Sequence, residues 1–194
     1  MATASEHVTR AMLALEKAFL IGVEGVTEVW LVRHADCYRD MQEADDPPLS
    51  PLGQEQARRL ARRVKDALPA AVYSSPYKRA LQTAQAITDE VMVDQRLIEM
   101  PLIIDENDHL DFQETPESAV TRMRGVIDDV AAAHPGRRVV VVSHAASIIA
   151  CLTDAIGLEA GRLRLFPYYT SVSIMRVLGD VRMVGTFGDV GHLE

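Results

Sequence analysis

Apolar residues recur in two rhythms along this chain, and the alternation between them predicts its architecture. Between residues 7 and 20, Val8, Met12, Leu15 and Phe19 share one helical face, and the pattern stops at a Gly22 to Gly25 break. Residues 27–32, TEVWLV, are too continuously apolar and β-branched for a surface strand, which predicts a central one. Ser50 as cap and Pro51 at the first helical position then open a helix reaching Leu68. Its Ala57, Leu60, Ala61, Val64 and Leu68 repeat at helical spacing, and Arg58, Arg59, Arg62 and Arg63 fall on the opposite face, expected to be solvated.

The same alternation continues downstream. Residues 70–74, AAVYS, predict a short strand, 76–90 a helix with Pro76 at its start, and 91–97, VMVDQRL, another strand. Residues 100–114 are acidic and have no clean period, which predicts a short cap loop. A helix follows from Thr115, with Pro116 and Glu117 in its first turn. Next come a second buried strand over 137–144, a helix stopped by Gly157, and a hairpin over 171–187 turning at Gly179-Asp180. Strand alternating with helix predicts an α/β layered sheet ending in an antiparallel hairpin.

At 194 residues the chain suits a single domain over 1–194, with residues 1–26 as a leader helix outside its core. The leader's apolar stripe is expected to pack on its own domain, a homodimer contact being the alternative. A formal net charge of −8 argues against general affinity for nucleic acid or an anionic membrane, since both need a cationic surface. Cys37 and Cys151 make no disulfide framework, and no apolar run reaches membrane-span length, so a cytoplasmic protein is expected.

Charge and chemistry meet at two places. The buried strands end alike, LVRHA at 31–35 and VVSHA at 141–145. Ligands in open α/β sheets bind outside the carboxyl ends of the strands, so His34 and His144 are expected to face one crevice. Arg33 stands beside the first, and Arg79 follows the YSSP strand end. Arginine offers a fork of donors matched to phosphate oxygens, and the pair points to a phosphoryl group. His7, His109, His134 and His192 show no metal-ligand spacing, and there is no phosphate-binding glycine loop or serine-nucleophile elbow.

With these residues in view, the chain resembles the histidine phosphatase superfamily, which includes cofactor-dependent phosphoglycerate mutases and bacterial small-molecule phosphatases. The matching stretches are LVRHA, LSPLGQEQARRLA, YSSPYKRALQTAQAI, RLIEM, PESAVTRM and VVVSHAASIIACL, covering most of residues 27–155 in the family's order. The resemblance implies a phosphoglycerate mutase-like three-layer α/β/α sandwich with a mostly parallel central sheet. It implies catalysis by His34 as nucleophile and Glu99 as proton donor, with Arg33, Arg79 and His144 holding the phosphoryl group. Ala145 and Asp40 would join Arg33, Arg79 and His144 in binding substrate.

No metal or cofactor is implied, and the expected partner is a small phosphorylated metabolite, hydrolysed as a phosphomonoester through a phosphohistidine. Two rivals stand beside this reading, a phosphoglycerate mutase-type transfer and a non-catalytic phospho-ligand sensor or scaffold. Three departures from the family pattern bear on them. Ala35 replaces a glycine, Asp40 replaces an asparagine near the phosphate, and the glycine-and-tryptophan motif after Glu99 gives way to Asp105, Glu106, Asp108 and Asp111.

Overall fold

The structure, a computed structural model, describes residues 4–38, 46–104, 106–107, 110–159 and 165–194. Its strands are β1 (Thr27–Arg33), β2 (Ala71–Ser74), β3 (Val91–Val93), β4 (Leu102–Ile104), β5 (Leu110–Phe112), β6 (Arg138–Ser143), β7 (Val172–Leu178) and β8 (Val181–Asp189). Its helices are α1 (Ala4–Ala18), α2 (Pro51–Ala67), α3 (Lys78–Gln85), α4 (Pro116–Ala133) and α5 (Ala145–Ala155). Six strands form the central sheet in the order β3-β2-β6-β1-β7-β8, parallel across its first four members and antiparallel across β1-β7 and β7-β8.

The continuous apolar runs of β1 and β6 exist because both faces of these strands are covered. Val29 and Leu31, with Val139 and Val141, turn to one side and pack with Met123, Ile127 and Val130 of α4 and Ile148 and Leu152 of α5. Trp30 and Val32, with Val140 and Val142, turn to the other and pack with Leu60 and Val64 of α2 and Ala80 and Ala84 of α3. The period-two alternation of a strand thus divides one hydrophobic run between two cores, and the chain is the expected three-layer α/β/α sandwich.

Several expected elements differ in the structure. The helix expected over 76–90 spans only α3, with Tyr77 in the cap position and Pro76 outside it; Ile87 leaves the helix to pack against the core formed with α2. The strand expected over 91–97 stops after three residues. Asp94 accepts the Arg96 N–H at 2.8 Å and starts a 3-10 turn over Gln95–Leu97. The stretch 100–114 holds a small hairpin, β4 pairing with β5 in the register Leu102↔Phe112 and Ile104↔Leu110; three-residue strands are too short to display a period.

The solvated arginine face is half right. Arg58 and Arg62 are exposed, whereas Arg63 pairs with Asp189 at 2.6 Å and lies over Trp30, and Arg59 donates to the Leu193 carbonyl at 2.8 Å. These two bind the chain's last residues to α2.

The leader helix departs furthest from expectation. Val8, Met12, Leu15 and Phe19 are 50–64% exposed, so the stripe does not pack on its own domain. The hydrophobic driving force that would hold α1 to the body is therefore missing. A variant lacking residues 1–18, which leaves buried Leu20 in place, is expected to melt within about 2 °C of the full chain, because less than ~1 kcal/mol of body stability is at stake. Calorimetry of both forms checks this, and a larger fall would mean that α1 packs.

Candidate active site

The register of the parallel strands decides where the candidate residues meet. Arg33 lies opposite Ser143, and Ser74 lies opposite Val142, so β1, β6 and β2 end at one level. The ladder then continues one step beyond each end, with His34 N–H donating to the Ser143 carbonyl at 2.9 Å and Ser75 N–H to the Val142 carbonyl at 3.0 Å. His34, Ser75 and His144 are thereby mounted side by side on sheet edges.

The His34 ring is buried, and its Nδ1–H donates to the Ala35 carbonyl at 2.7 Å. A carbonyl can only accept, so Nδ1 carries the proton and Nε2 keeps its lone pair. Burial pushes the His34 pKa down to about 3, against the pull of the Ala35 carbonyl, and Arg79 and Arg33 lower it further.

The loop after His34 is held from both neighbouring helices. Thr83 of α3 accepts the Ala35 N–H at 3.0 Å, Gln56 of α2 accepts the Asp36 N–H at 2.9 Å, and Ser50 N–H donates to the Asp36 carbonyl at 3.1 Å. The start of α2 comes so close that a Cβ on Gly53 would stand 1.9 Å from the Asp36 carbonyl oxygen. No side chain fits there.

His144 lies 5.1 Å from His34 between ring centroids and is fully buried. Its Nε2 meets Ser75 Oγ at 2.8 Å, while the same Oγ accepts the Tyr77 N–H at 3.4 Å. With Oγ accepting from Tyr77, its proton is free to point at Nε2, the arrangement in which the His144 ring proton sits on Nδ1. Buried Nδ1 meets no partner among the described residues. Burial, then the charges of its neighbours, hold this imidazole neutral, its pKa well below the ordinary value.

Arg33 is gripped between rings, 3.9 Å from the Tyr169 centroid and 4.8 Å from that of Phe166, with Nη1 donating to the Pro167 carbonyl at 2.8 Å. Its Nε is buried without a partner among the described residues. Thr170, which ends this aromatic segment, donates its N–H to the Arg33 carbonyl at 3.0 Å from a backbone φ of 57°. A β-branched residue held in that region costs on the order of 1–3 kcal/mol. Arg79 lies over Tyr77 and 3.5 Å from Asp46, whose carboxylate also accepts the Lys78 N–H at the start of α3.

Glu99 enters from the segment after the 3-10 turn. Its Oε1 accepts the Met100 N–H at 3.0 Å and the Ser147 N–H, in the first turn of α5, at 3.2 Å. Burial raises its pKa, and these amides and Arg79 only partly oppose that.

Of the residues expected from sequence, Arg33, His34, Arg79, Glu99 and His144 come together at this edge. Buried Ala145 is the first residue of α5, beside them. Asp40, Asp105 and Asp108 lie outside the described residues. Sequence reasoning missed Ser75, Asp46 and the 166–170 segment. Ser75 stood inside a quoted motif, but no spacing marks the other two. Among the described residues, no group of three or more His, Cys, Asp or Glu is arranged to hold a metal ion, and no helix is long and apolar enough to cross a membrane.

Comparison with known proteins gives this edge its context. The family model described as histidine phosphatase superfamily (branch 1) matches residues 29–107 and 102–189. The chain belongs to the histidine phosphatase superfamily. Among its relatives in this superfamily, an uncharacterized phosphatase, PhoE, of Bacillus subtilis is 30% identical over 68% of this chain and 79% of its own. Phosphoglycerate mutase-like protein 4 of Arabidopsis thaliana is 29% identical over 86% of this chain and 87% of its own. A phosphoserine phosphatase of Entamoeba histolytica, solved with 3-phosphoglyceric acid, superposes with a TM-score of 0.73 at 22% identity over 87% of this chain and all of its own. The α1 helix precedes the family match entirely.

Two stability predictions follow from the geometry of this histidine phosphatase. Unfolded histidine binds a proton below about pH 6.5, whereas folded His34 waits until about 3, so stability falls as pH falls through that window. His34 alone should remove about 2 kcal/mol between pH 7 and 5, and His34→Asn should flatten the decline in a pH series of urea melts. An equally steep decline in the variant would refute the assignment. Gly53→Ala should cost about 3 kcal/mol or more by overpacking, a fall of roughly 6–12 °C in melting temperature.

Proposed function

We propose that this histidine phosphatase hydrolyses a small phosphorylated metabolite, transferring the phosphoryl group to His34 and then to water. The observation that carries the reading is the pairing of a lone-pair nitrogen, His34 Nε2, with two buried nitrogens that meet no partner among the described residues, Arg33 Nε and His144 Nδ1, the latter a donor when Ser75 Oγ gives its proton to Nε2. A nucleophile for phosphorus must be neutral and have its other nitrogen held as a donor, which the Ala35 carbonyl arranges.

The reaction balances on these groups alone. His34 Nε2 gives its electron pair to phosphorus as the bond to the ester oxygen breaks. Arg33, Arg79 and His144 Nδ1–H stabilise the negative charge spread over the equatorial oxygens. Glu99, whose burial raises its pKa, gives its proton to the departing alkoxide. The Met100 and Ser147 amides both take Oε1, and the proton is assigned to Oε2 in this reading. In the second half, carboxylate Glu99 removes a proton from water as the oxygen attacks phosphorus and the N–P bond breaks, returning neutral His34.

Asp46 tempers Arg79, since the pair is 3.5 Å apart and an arriving phosphate must compete with that carboxylate. A mutase-type transfer is the second reading, favoured by the Arabidopsis relative that aligns over most of both chains. It differs only in what accepts the phosphoryl group, and phosphate exchange between phosphoglycerates tests it directly.

The reaction itself is tested by rapid-quench kinetics of wild type and Glu99→Gln on an alkyl and a nitrophenyl phosphate. An alkoxide needs a proton to leave and a nitrophenolate does not, so the variant should phosphorylate about 10²- to 10⁴-fold more slowly on the alkyl ester and far less so on the aryl one. Trapped label should be labile in acid and stable in base, as a phosphoramidate is. Equal losses on both esters would remove Glu99 from the acid role, and absence of trapped label would remove His34 from the nucleophile role.

A further inference from the structure

The guanidinium of Arg122, in the second turn of α4, has every donor engaged. Nε–H and one Nη2–H go to the two oxygens of Glu114, each at 2.7 Å. Both Nη1 hydrogens go to main-chain carbonyls, those of Arg96 and Ile98, again at 2.7 Å. The remaining Nη2–H goes to Ser147 Oγ at 3.0 Å. Five N–H groups meet five acceptors, and the side chain is 13% exposed, so nothing is left with which to bind phosphate.

Two of the five acceptors, the Ile98 carbonyl and Ser147 Oγ, adjoin Glu99. Ile98 is its chain neighbour, and Ser147 is the α5 residue whose N–H holds Glu99 Oε1. Ser147 closes the loop by donating its hydroxyl proton to the same Ile98 carbonyl at 2.7 Å. Glu114, which fixes the fork from the far side, begins the turn into α4 just after the small β4-β5 hairpin. One planar group therefore ties together the segment that carries Glu99, the helix end that orients it and the base of the hairpin.

We infer that Arg122 is the positioning residue for Glu99, holding its carboxyl at the reacting edge without touching substrate. This rests on the reading of Glu99 as proton donor. Misplacing a reacting group by about 1 Å costs on the order of 10²-fold in rate, and a guanidinium is the side chain able to hold two carbonyls, a carboxylate and a hydroxyl from three segments in one plane. Lysine at this position keeps the charge opposite Glu114 but offers three donors from a single point, too few and wrongly spread for this set.

The test measures the phosphorylation step of Arg122→Lys, Arg122→Met and Glu99→Gln on the alkyl and nitrophenyl phosphates, each variant first shown to be folded by its melting curve. Arg122→Met should lose about 10- to 100-fold on the alkyl ester and only a few-fold on the aryl ester, with Arg122→Lys between it and wild type. Adding Arg122→Met to Glu99→Gln should cost the alkyl reaction little more, because the acid is already gone.

Should burial of an unpaired Glu114 prevent Arg122→Met from folding, the double variant Arg122→Met with Glu114→Gln removes that charge, and Arg122→Lys alone carries the same comparison. Equal losses on both esters, or additive losses with Glu99→Gln, would overturn the inference and leave Arg122 a purely structural residue. Absence of the alkyl-aryl split in Glu99→Gln itself would instead overturn the acid reading on which this one stands.

Discussion

The hydrogen bond from the His34 N–H to the Ser143 carbonyl extends the β1-β6 ladder one residue past the strand, and the candidate site is built outward from that step. It brings Arg33, His34, Ser143 and His144 into one register, where a residue's position depends on the pleat more than on any loop. Ser75 reaches the same level through an equivalent bond on the other side of β6. Every later feature of the site takes its place from this ladder: the neutral imidazole, the fork on Arg33, and the helix end that greets Glu99.

Burial then does more for the two histidines than any neighbouring charge. Both imidazoles lose their protons' affinity mainly because water is excluded around them, so the positive charge at this edge rests on arginines alone. Arg33 is held there by aromatic faces and the Pro167 carbonyl. That arrangement reconciles a net charge of −8 with a site suited to anions: the sign of the whole surface and the sign of one buried edge are independent quantities.

What could be read from sequence follows the reach of each interaction. The twin strand endings at His34 and His144, the Ser50-Pro51 helix start and the hairpin at Gly179-Asp180 are written in consecutive residues, and they reappear in the fold. Arg122 stood inside the quoted PESAVTRM stretch, but its role was not legible there, because its partners, the Arg96 and Ile98 carbonyls, the Ser147 hydroxyl and the Glu114 carboxylate, are brought to it by tertiary folding. The β4-β5 hairpin was hidden by its length, the early end of α3 by Ile87 turning to the core. The exposed face of α1 shows the opposite failure. Its periodicity is clear, yet periodicity states only that a face is apolar and is silent on what, if anything, covers it.

That helix has one further consequence, set by the geometry of β1. The chain passes from α1 into the start of β1, at Thr27, while Arg33 and His34 stand at its other end. Seven residues of strand at about 3.3 Å each separate the two by roughly 20 Å. The amino-terminal helix is therefore an appendage on the back of the molecule. A surface, a fused domain or a label joined through it would leave the mouth of the site open to a diffusing metabolite, which makes this end the natural place to immobilise the protein.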